Sequence, residues 1–386
     1  MQLMIDTGLT VLFREKPHLV EERNIGLITN QTGVDENLRS NVSLFAECPK
    51  THLIALFSPE HGLWGNHQDM LKIASATDEQ LLIPIYSLYG ETLQPTPEML
   101  KGIDTLVYDI QNVGARYYTF ITTMLLAMQA ACERDVEFIV LDRPNPIGGN
   151  RYEGTLLQHN YKSFVGAHPI PIRHGMTIGE LALLFKAELG LDLQLEVIPM
   201  CGWGRDMWYD QTGLPWVPSS PSMPTLDTAI LYPGTCLIEG TNLSEGRGTT
   251  KPFEWIGAPW IDADEWSETL NCLELPGVRF RPVHFVPSLS KYADELCHGV
   301  SVHVMDRELA MPLEIVLYLL ATVVEAYPNH FEFLETDGTH FIDLLAGTDL
   351  LRTAIIERRT PAGILQGWSM DLDEFAHRRG PFLIYA

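Results

Sequence analysis

Five short apolar runs in the first half of the chain, residues 24–29, 52–57, 82–87, 104–110 and 136–141, are each followed at once by a polar or glycine-bearing cluster. Apolar runs of four to eight residues bounded by turn signals predict buried strands. A sixth run, 193–198, has the same character. Between the runs lie helix-length segments. Phe120, Met124, Ala127, Met128 and Ala131 recur at helical spacing within 118–134, and 177–189 opens on Thr177 and Glu180 in the pattern of a capping box. Strands alternating with helices predict an α/β fold with a Rossmann-like parallel sheet. Such a sheet binds its ligand at the carboxyl ends of its strands, so the polar clusters are expected to share one rim.

The texture changes at 202–233, where Pro215, Pro218, Pro221 and Pro224 crowd together. A run like this predicts neither a regular helix nor a central strand, and reads as a long ordered connection. Trp203, Trp208, Tyr209 and Trp216 within it suit a ligand-facing wall or a packed domain interface. Beyond it the pattern predicts a smaller α/β or α+β unit, with strands near 278–286 and 299–304 and helices near 312–327, 341–347 and 349–358. The expected division is 1–228 and 229–386.

A chain of 386 residues exceeds one ordinary core, which agrees with two domains. Its 26 basic and 50 acidic side chains give a formal charge of −24, a field that repels nucleic acid and anionic membrane. No nucleic-acid partner is expected, and an anionic substrate needs a basic pocket inside this acidic shell. The six cysteines are scattered without paired spacing, so neither a metal framework nor a disulfide one is expected. The longest apolar stretch, 315–324, is too short for membrane insertion. The first 16 residues show no basic segment leading into an apolar core, which predicts a cytoplasmic location.

Candidate chemistry sits in the clusters. The first strand lacks G-x-G-x-x-G after it and no P-loop occurs, so no nucleotide cofactor is expected. G-x-S-x-G and H-E-x-x-H are also missing from the sequence. In Ser-Pro-Glu-His-Gly at 58–62, Pro59 and Gly62 predict a turn that holds Glu60 as a general acid or base, with His61 orienting it or binding substrate. His61, His67 and Asp69 form an alternative set of metal ligands for a metal-dependent hydrolase. Glu91 follows the next strand. Asn30 ends the first strand, while Asp109, Arg116, Tyr117 and Tyr118 flank Gly114. Arg116 is either a carboxylate clamp or an ion partner of Asp109. Asp142, Arg143 and Asn145 lie in a rigid polar turn, where Asp142 alternatively pairs with Arg143. Arg173 and His174 precede a helix start, a place that favours anions. Glu239, Asn242, Glu245 and Arg247 stand in a glycine-punctuated run at 239–250 that reads as a substrate loop.

Several of these segments resemble one family, the exo-β-N-acetylmuramidases of the NamZ type. They are Gly-Leu-Ile-Thr-Asn-Gln-Thr-Gly at 26–33, Phe-Ser-Pro-Glu-His-Gly at 57–62, Ser-Leu-Tyr-Gly at 87–90, Tyr-Asp-Ile-Gln-Asn-Val-Gly-Ala-Arg-Tyr-Tyr-Thr at 108–119, Asp-Arg-Pro-Asn-Pro at 142–146, Arg-His-Gly-Met-Thr at 173–177 and Glu-Gly-Thr-Asn-Leu-Ser-Glu-Gly-Arg-Gly-Thr at 239–249. The resemblance implies a Rossmann-like domain joined to a smaller C-terminal domain, with the active site in the cleft between. It implies release of N-acetylmuramic acid from the non-reducing end of peptidoglycan-derived oligosaccharides, as in cell-wall recycling. It points to Glu91 as the leading catalytic acid and to Glu60 as the second choice. If the sugar's own N-acetyl group assists, one carboxylate with Tyr118 or His61 as helper suffices. The lactyl carboxylate of such a sugar needs a cation, for which Arg116, Arg173 and Arg247 are candidates. Many relatives are exported, and this chain departs from them in showing no export signal. A muropeptide-binding protein without turnover is the alternative of a different class.

Overall fold

The computed structural model describes residues 4–68 and 71–386. The first part is built on β1 (Asn24–Thr29), β2 (His52–Ser58), β3 (Ala76–Thr77), β4 (Pro84–Ser87), β5 (Thr105–Asp109) and β6 (Glu137–Leu141). A two-stranded hairpin of β7 (Glu153–Leu156) and β8 (Pro171–Arg173) follows, and β9 (Leu195–Ile198) completes the main sheet. The order across that sheet is β3-β4-β2-β1-β5-β6-β9, and all neighbours are parallel except β3 and β4. Strand order reverses between β1 and β5, which makes that crevice the topological switch point.

The period of two along each strand sorts side chains to two cores. Leu27, Val107 and Ile139 pack beneath α1 (Gly8–Glu15) and α2 (Asn41–Glu47), whereas Ile28, Tyr108 and Val140 pack beneath α3 (Phe120–Cys132) and α4 (Ile178–Glu188). The expected capping box of α4 is present, with Thr177 and Glu180 each bonding the other's backbone N–H.

The second part contains α5 (Leu226–Thr235), β10 (Trp255–Ala258), α6 (Ala263–Cys272), β11 (Val278–Phe285), β12 (Cys297–Val304) and α7 (Pro312–Ala326). It closes with α8 (Phe341–Ala346), α9 (Leu350–Ile356), α10 (Pro361–Gly367) and α11 (Ser369–Arg379). Its sheet, β10-β12-β11, is antiparallel throughout, so this unit is α+β. Strand β10 escapes the sequence pattern because small residues replace bulky ones. Gly257 faces Gly299, and a Cβ on Gly257 would lie 2.4 Å from the His298 carbonyl oxygen.

Helix α5 corrects the expectation that 202–233 holds no regular helix. Thr225 caps it by accepting from Thr228 N–H, and Pro233 lies in its last turn, where one intrahelical bond is lost. The Tyr117 hydroxyl donates to the carbonyls of Tyr232 and Pro233. The helix runs across the expected 228/229 division. The chain end also crosses back to the first part: Tyr385 Oη donates to Asp142 Oδ2 at 2.6 Å, and Ile384 N to Glu180 Oε1 at 2.9 Å. None of the helices among the described residues is long and apolar enough to cross a membrane.

A layer of buried polar groups lies on the carboxyl ends of β1, β5 and β6. Asp109 accepts from Arg143 Nε at 2.5 Å and Nη2 at 2.9 Å, and from Asn41 Nδ2 at 2.8 Å. Asp142 accepts from Thr177 Oγ1 at 2.7 Å and Gly179 N at 2.8 Å, besides Tyr385. Arg173 donates to Glu153 Oε1 and the Ile147 carbonyl, both at 2.6 Å. His174 accepts from Met176 N at 3.1 Å. Burial, then Arg379 and Arg173, push His174 down to about 3, so its ring is neutral. Arg116 ties the two parts together. Its Nη1 donates to the carbonyls of Thr155 and Ile170 at 2.7 Å each, and its Nη2 to Leu345 at 2.8 Å.

Two outcomes follow for stability. Replacing Arg116 by Met strands three buried carbonyls, each costing about 1–3 kcal/mol. Urea unfolding of Arg116→Met is expected to show a loss of roughly 3 kcal/mol or more at unchanged m-value, and a loss under about 1 kcal/mol would contradict the role given to it. For His174, the folded value lies below the unfolded 6.5, so its contribution is complete above pH 6.5 and declines as pH falls toward 3. The penalty of His174→Asn is therefore expected to shrink by about 2 kcal/mol between pH 7 and pH 5, read from denaturation midpoints of both proteins at each pH.

Candidate active site

A cavity of about 480 Å³ opens between the two parts. The turn after β2 gives it Glu60 and His61, the turn after β4 gives Tyr89, and the start of α3 gives Tyr117, Tyr118 and Thr119. Opposite stand Glu239, Glu245, Arg247 and Lys291 from the second part.

The turn after β2 is shaped by its sequence as expected. Gly62 N bonds the Pro59 carbonyl at 3.0 Å, and Gly62 takes φ +80°. His61 itself sits at φ +71°, a left-handed conformation that non-glycine residues rarely adopt outside constrained sites. Its Nδ1–H donates to the His67 carbonyl at 2.9 Å. Glu60 is buried, and Thr119 Oγ1 donates to its Oε2 at 2.7 Å.

Tyr118 packs edge-on against Phe120 and Tyr232, with its hydroxyl 2.6 Å from Ser219 Oγ. Burial pushes its phenol up to about 12. Ser219 and Ser220 oppose the shift, Glu60 adds to it and Arg247 opposes it. Tyr118 is thus a neutral hydroxyl at ordinary pH, within the fields of a carboxylate from one part and a guanidinium from the other.

The opposing wall holds two acids and two cations. Arg247 donates to Glu239 Oε1 from Nε at 2.9 Å and from Nη2 at 2.6 Å, while its guanidinium lies 4.9 Å over the Phe253 ring. Lys291 Nζ is 2.9 Å from Glu245 Oε2 and donates to the carbonyls of Ile238 and Leu243 at 3.0 and 2.7 Å. Burial raises the Glu239 carboxyl above its ordinary range despite Arg247. Burial acts upward on Glu245 too, but Lys291 and then Arg247 outweigh it and hold Glu245 low.

Of the residues singled out from the sequence, Glu60, His61, Tyr117, Tyr118, Glu239, Glu245 and Arg247 line this cavity. The others fall elsewhere. Glu91 is exposed, two residues past Tyr89 and outside the lining. Asn30, Asp109, Asp142, Arg143, Asn145, Arg173 and His174 belong to the buried polar layer or its turns. Asn30 Oδ1 accepts from Thr32 N and Oγ1, and Asn145 bonds Met176 O and Ile147 N. The ion partner of Asp109 is Arg143, not Arg116, whose guanidinium is spent on backbone carbonyls. Asn242 pins the loop at 330–332, donating to His330 O at 2.7 Å and accepting from Glu332 N at 3.0 Å. For Asp109, Asp142 and Arg143 the physical reason is that a parallel sheet leaves polar groups at the carboxyl ends of its strands, and here they are paired within the protein. The opening lies to the β2–β4 side instead.

Trp203 packs on Tyr385, Trp208 lies beneath Arg307, and Tyr209 packs on Trp216, so this cluster is internal packing rather than cavity wall. Among the described residues, no group of three His, Cys, Asp or Glu side chains could hold a metal. Asp69, the third member of the alternative ligand set, lies outside the described residues. Sequence reasoning missed Lys291 and Phe164; each stands in a loop with no periodic or motif signal.

Comparison with known proteins places the whole chain. Residues 25–227 match the N-terminal, and residues 230–385 the C-terminal, family model of exo-beta-N-acetylmuramidase NamZ. Peptidoglycan beta-N-acetylmuramidase NamZ of Bacillus subtilis (strain 168) is 48% identical over 381 residues, covering 99% of this chain and 91% of the relative. Among solved structures, a DUF1343 family protein of Bacteroides fragilis superposes with a TM-score of 0.92 at 41% identity, covering 100% of both chains. A second DUF1343 protein of that organism gives 0.79 at 32% identity, covering 99% of both chains. With two family models covering nearly all of it and a relative this similar along its length, the chain belongs to the NamZ family of exo-β-N-acetylmuramidases.

Proposed function

We propose that this protein is a glycoside hydrolase that releases N-acetylmuramic acid from the non-reducing end of peptidoglycan fragments, with Glu60 as the general acid. Family membership supports the reaction. The observation that supports the acid is the burial of Glu60 in the cavity wall, with its Oε2 held by Thr119. Cleavage needs a proton on the departing oxygen as the bond to the anomeric carbon breaks, and positive charge develops on the sugar ring. Glu60 supplies that proton and becomes a carboxylate facing the developing cation. Water adds to the anomeric carbon, and its proton restores the acid. Tyr118 offers a neutral hydroxyl beside the same carboxylate.

Arg247 is the candidate for the lactyl carboxylate. The other two arginines considered for this part, Arg116 and Arg173, are buried outside the cavity, where they donate to backbone carbonyls and to Glu153. Arg247 lines the cavity, and a guanidinium suits a carboxylate through paired parallel hydrogen bonds.

Glu60→Gln is expected to slow hydrolysis of a muramic acid–glucosamine disaccharide by about 10³-fold. The loss on a nitrophenyl muramic acid glycoside, whose leaving group needs less protonation, is expected to be smaller. Glu91→Gln is expected to stay within a few-fold of the parent protein on both. The reverse ranking would move the acid to Glu91, and absence of turnover by the parent protein would leave a muropeptide-binding protein. For Arg247, the measurement is substrate choice: Arg247→Met is expected to remove the preference for muramic over glucosamine glycosides, and a preserved preference would refute its contact with the lactyl group.

A further inference from the structure

We infer that Phe164, backed by Tyr89, is a specificity-determining platform for the departing sugar, an aromatic face on which that pyranose stacks as the bond breaks. The inference rests on the reading above of a hydrolase with Glu60 as its acid. Phe164 stands in the connection between β7 and β8. Ser163 N donates to the Gly166 carbonyl at 2.9 Å and Gly166 N to the Ser163 carbonyl at 3.1 Å, so Phe164 and Val165 are the two tip residues of a tight turn. Such tips ordinarily carry Gly, Asn, Asp, Ser or Pro. Here both residues are apolar, and their surroundings differ. Val165 packs against the main apolar core, whereas Phe164 lies outside the apolar cores and lines the cavity, half-buried. Its ring meets Tyr89, also a lining residue, with centroids 5.4 Å apart and planes inclined at 41°.

The turn stands on a fixed stem. Arg116 Nη1 bonds the carbonyls of Thr155 and Ile170, at the two ends of the connection, and Gln158 N donates to Gly347 O at 2.8 Å. A ring presented this way has little freedom left to lose on binding. Tyr89 sets the pair beside the acid. Ser58 and Ser87 are register partners at the ends of β2 and β4, and Glu60 and Tyr89 each follow by two residues. The acid protonates the oxygen shared by the two sugars, so the departing ring lies next to it. Arg247 and Lys291 stand on the opposing wall and suit the anionic muramic sugar. The departing sugar is an uncharged pyranose. Its hydroxyls lie round the rim and its faces are largely C–H, so a flat apolar ring fits it better than an ion does.

The test uses the full-length protein with Phe164→Leu, Phe164→Ala and Phe164→Tyr. The substrates are a muramic acid–glucosamine disaccharide and a methyl muramic acid glycoside, which has no second ring. The readout is the ratio of kcat/KM on the disaccharide to kcat/KM on the methyl glycoside. Leucine keeps apolar bulk without a flat face, and the ratio is expected to fall about tenfold in the Leu and Ala variants. Tyrosine keeps the face, and its ratio is expected to stay within about threefold of the parent's. A phenylalanine that only packs the turn would weaken action on both substrates together. An unchanged ratio in the Leu and Ala variants therefore overturns the inference, whatever their stability, and so does a fall in the Tyr variant as large as that in Leu. Glu60→Gln separates this from the acid assignment. If that variant keeps the parent's rate, Glu60 loses its role, and the platform stands or falls on the ratio alone.

Discussion

The whole arrangement turns on one buried guanidinium. Arg116 is 1% exposed and gives its donors to carbonyls from β7, from the segment before β8 and from α8. Burial lowers it to about 10, which still leaves it charged at neutral pH. Its backbone N–H adds a bond to Ile172 O at 2.7 Å. Two glycines make this possible. At Gly114, φ is +84° and a Cβ would lie 2.5 Å from Asn145 Oδ1; at Gly347, φ is +74° and a Cβ would lie 2.9 Å from Arg116 Nη2. The residues after Arg116 are Tyr117, Tyr118 and Thr119, so the side chain that joins the two parts also sets where the cavity begins. Fold stability and site geometry share one residue, and a change there acts on both.

A second constraint explains why the cavity is not at the switch point. In an open parallel sheet the switch point is the natural crevice. In this protein Asp109, Arg143, Asn41 and Thr29 close it with mutual hydrogen bonds, and the returning chain end seals the neighbouring Asp142. Leaving any of these groups unpaired in a dry interior costs more than a surface contact returns. The ligand space is displaced toward β2 and β4, where the second part supplies a wall the sheet lacks.

Much of this was legible in the sequence, but unevenly. The apolar runs located six strands of the main sheet, because strand burial imposes a local period that no distant contact overrides. The turn at 58–62 was legible because Pro59 and Gly62 constrain their own backbones. What a local pattern does not encode is the partner. Glu60 and Glu91 look alike in sequence, each in a polar turn after a strand. They differ because Thr119 reaches one of them, and because Glu60 is buried in the cavity wall while Glu91 is exposed. Asp109 and Arg143 carried the residue types of a binding site and turned out to be each other's ligands. Helix α5 was hidden by prolines whose effect depends on their place in the turn. Lys291 was hidden because a loop lysine becomes a wall residue only through three contacts made after folding.

The acidic excess of the chain bears on the cavity through Glu239. On its wall, Glu239 and Glu245 balance Arg247 and Lys291 when all four are ionised, so an incoming carboxylate meets no net positive charge. Burial holds Glu239 above the ordinary carboxylate range, while Lys291 and Arg247 keep Glu245 ionised. The two acids therefore differ in what they do when an anion arrives. A carboxylate set beside Arg247 shares that guanidinium with Glu239, the acid whose ionised form burial already disfavours. Glu245, held by Lys291, keeps the loop in place meanwhile. Under the reading of Arg247 as the lactyl partner, an anionic sugar entering this strongly acidic protein meets that arginine beside the wall carboxyl whose charged form burial disfavours.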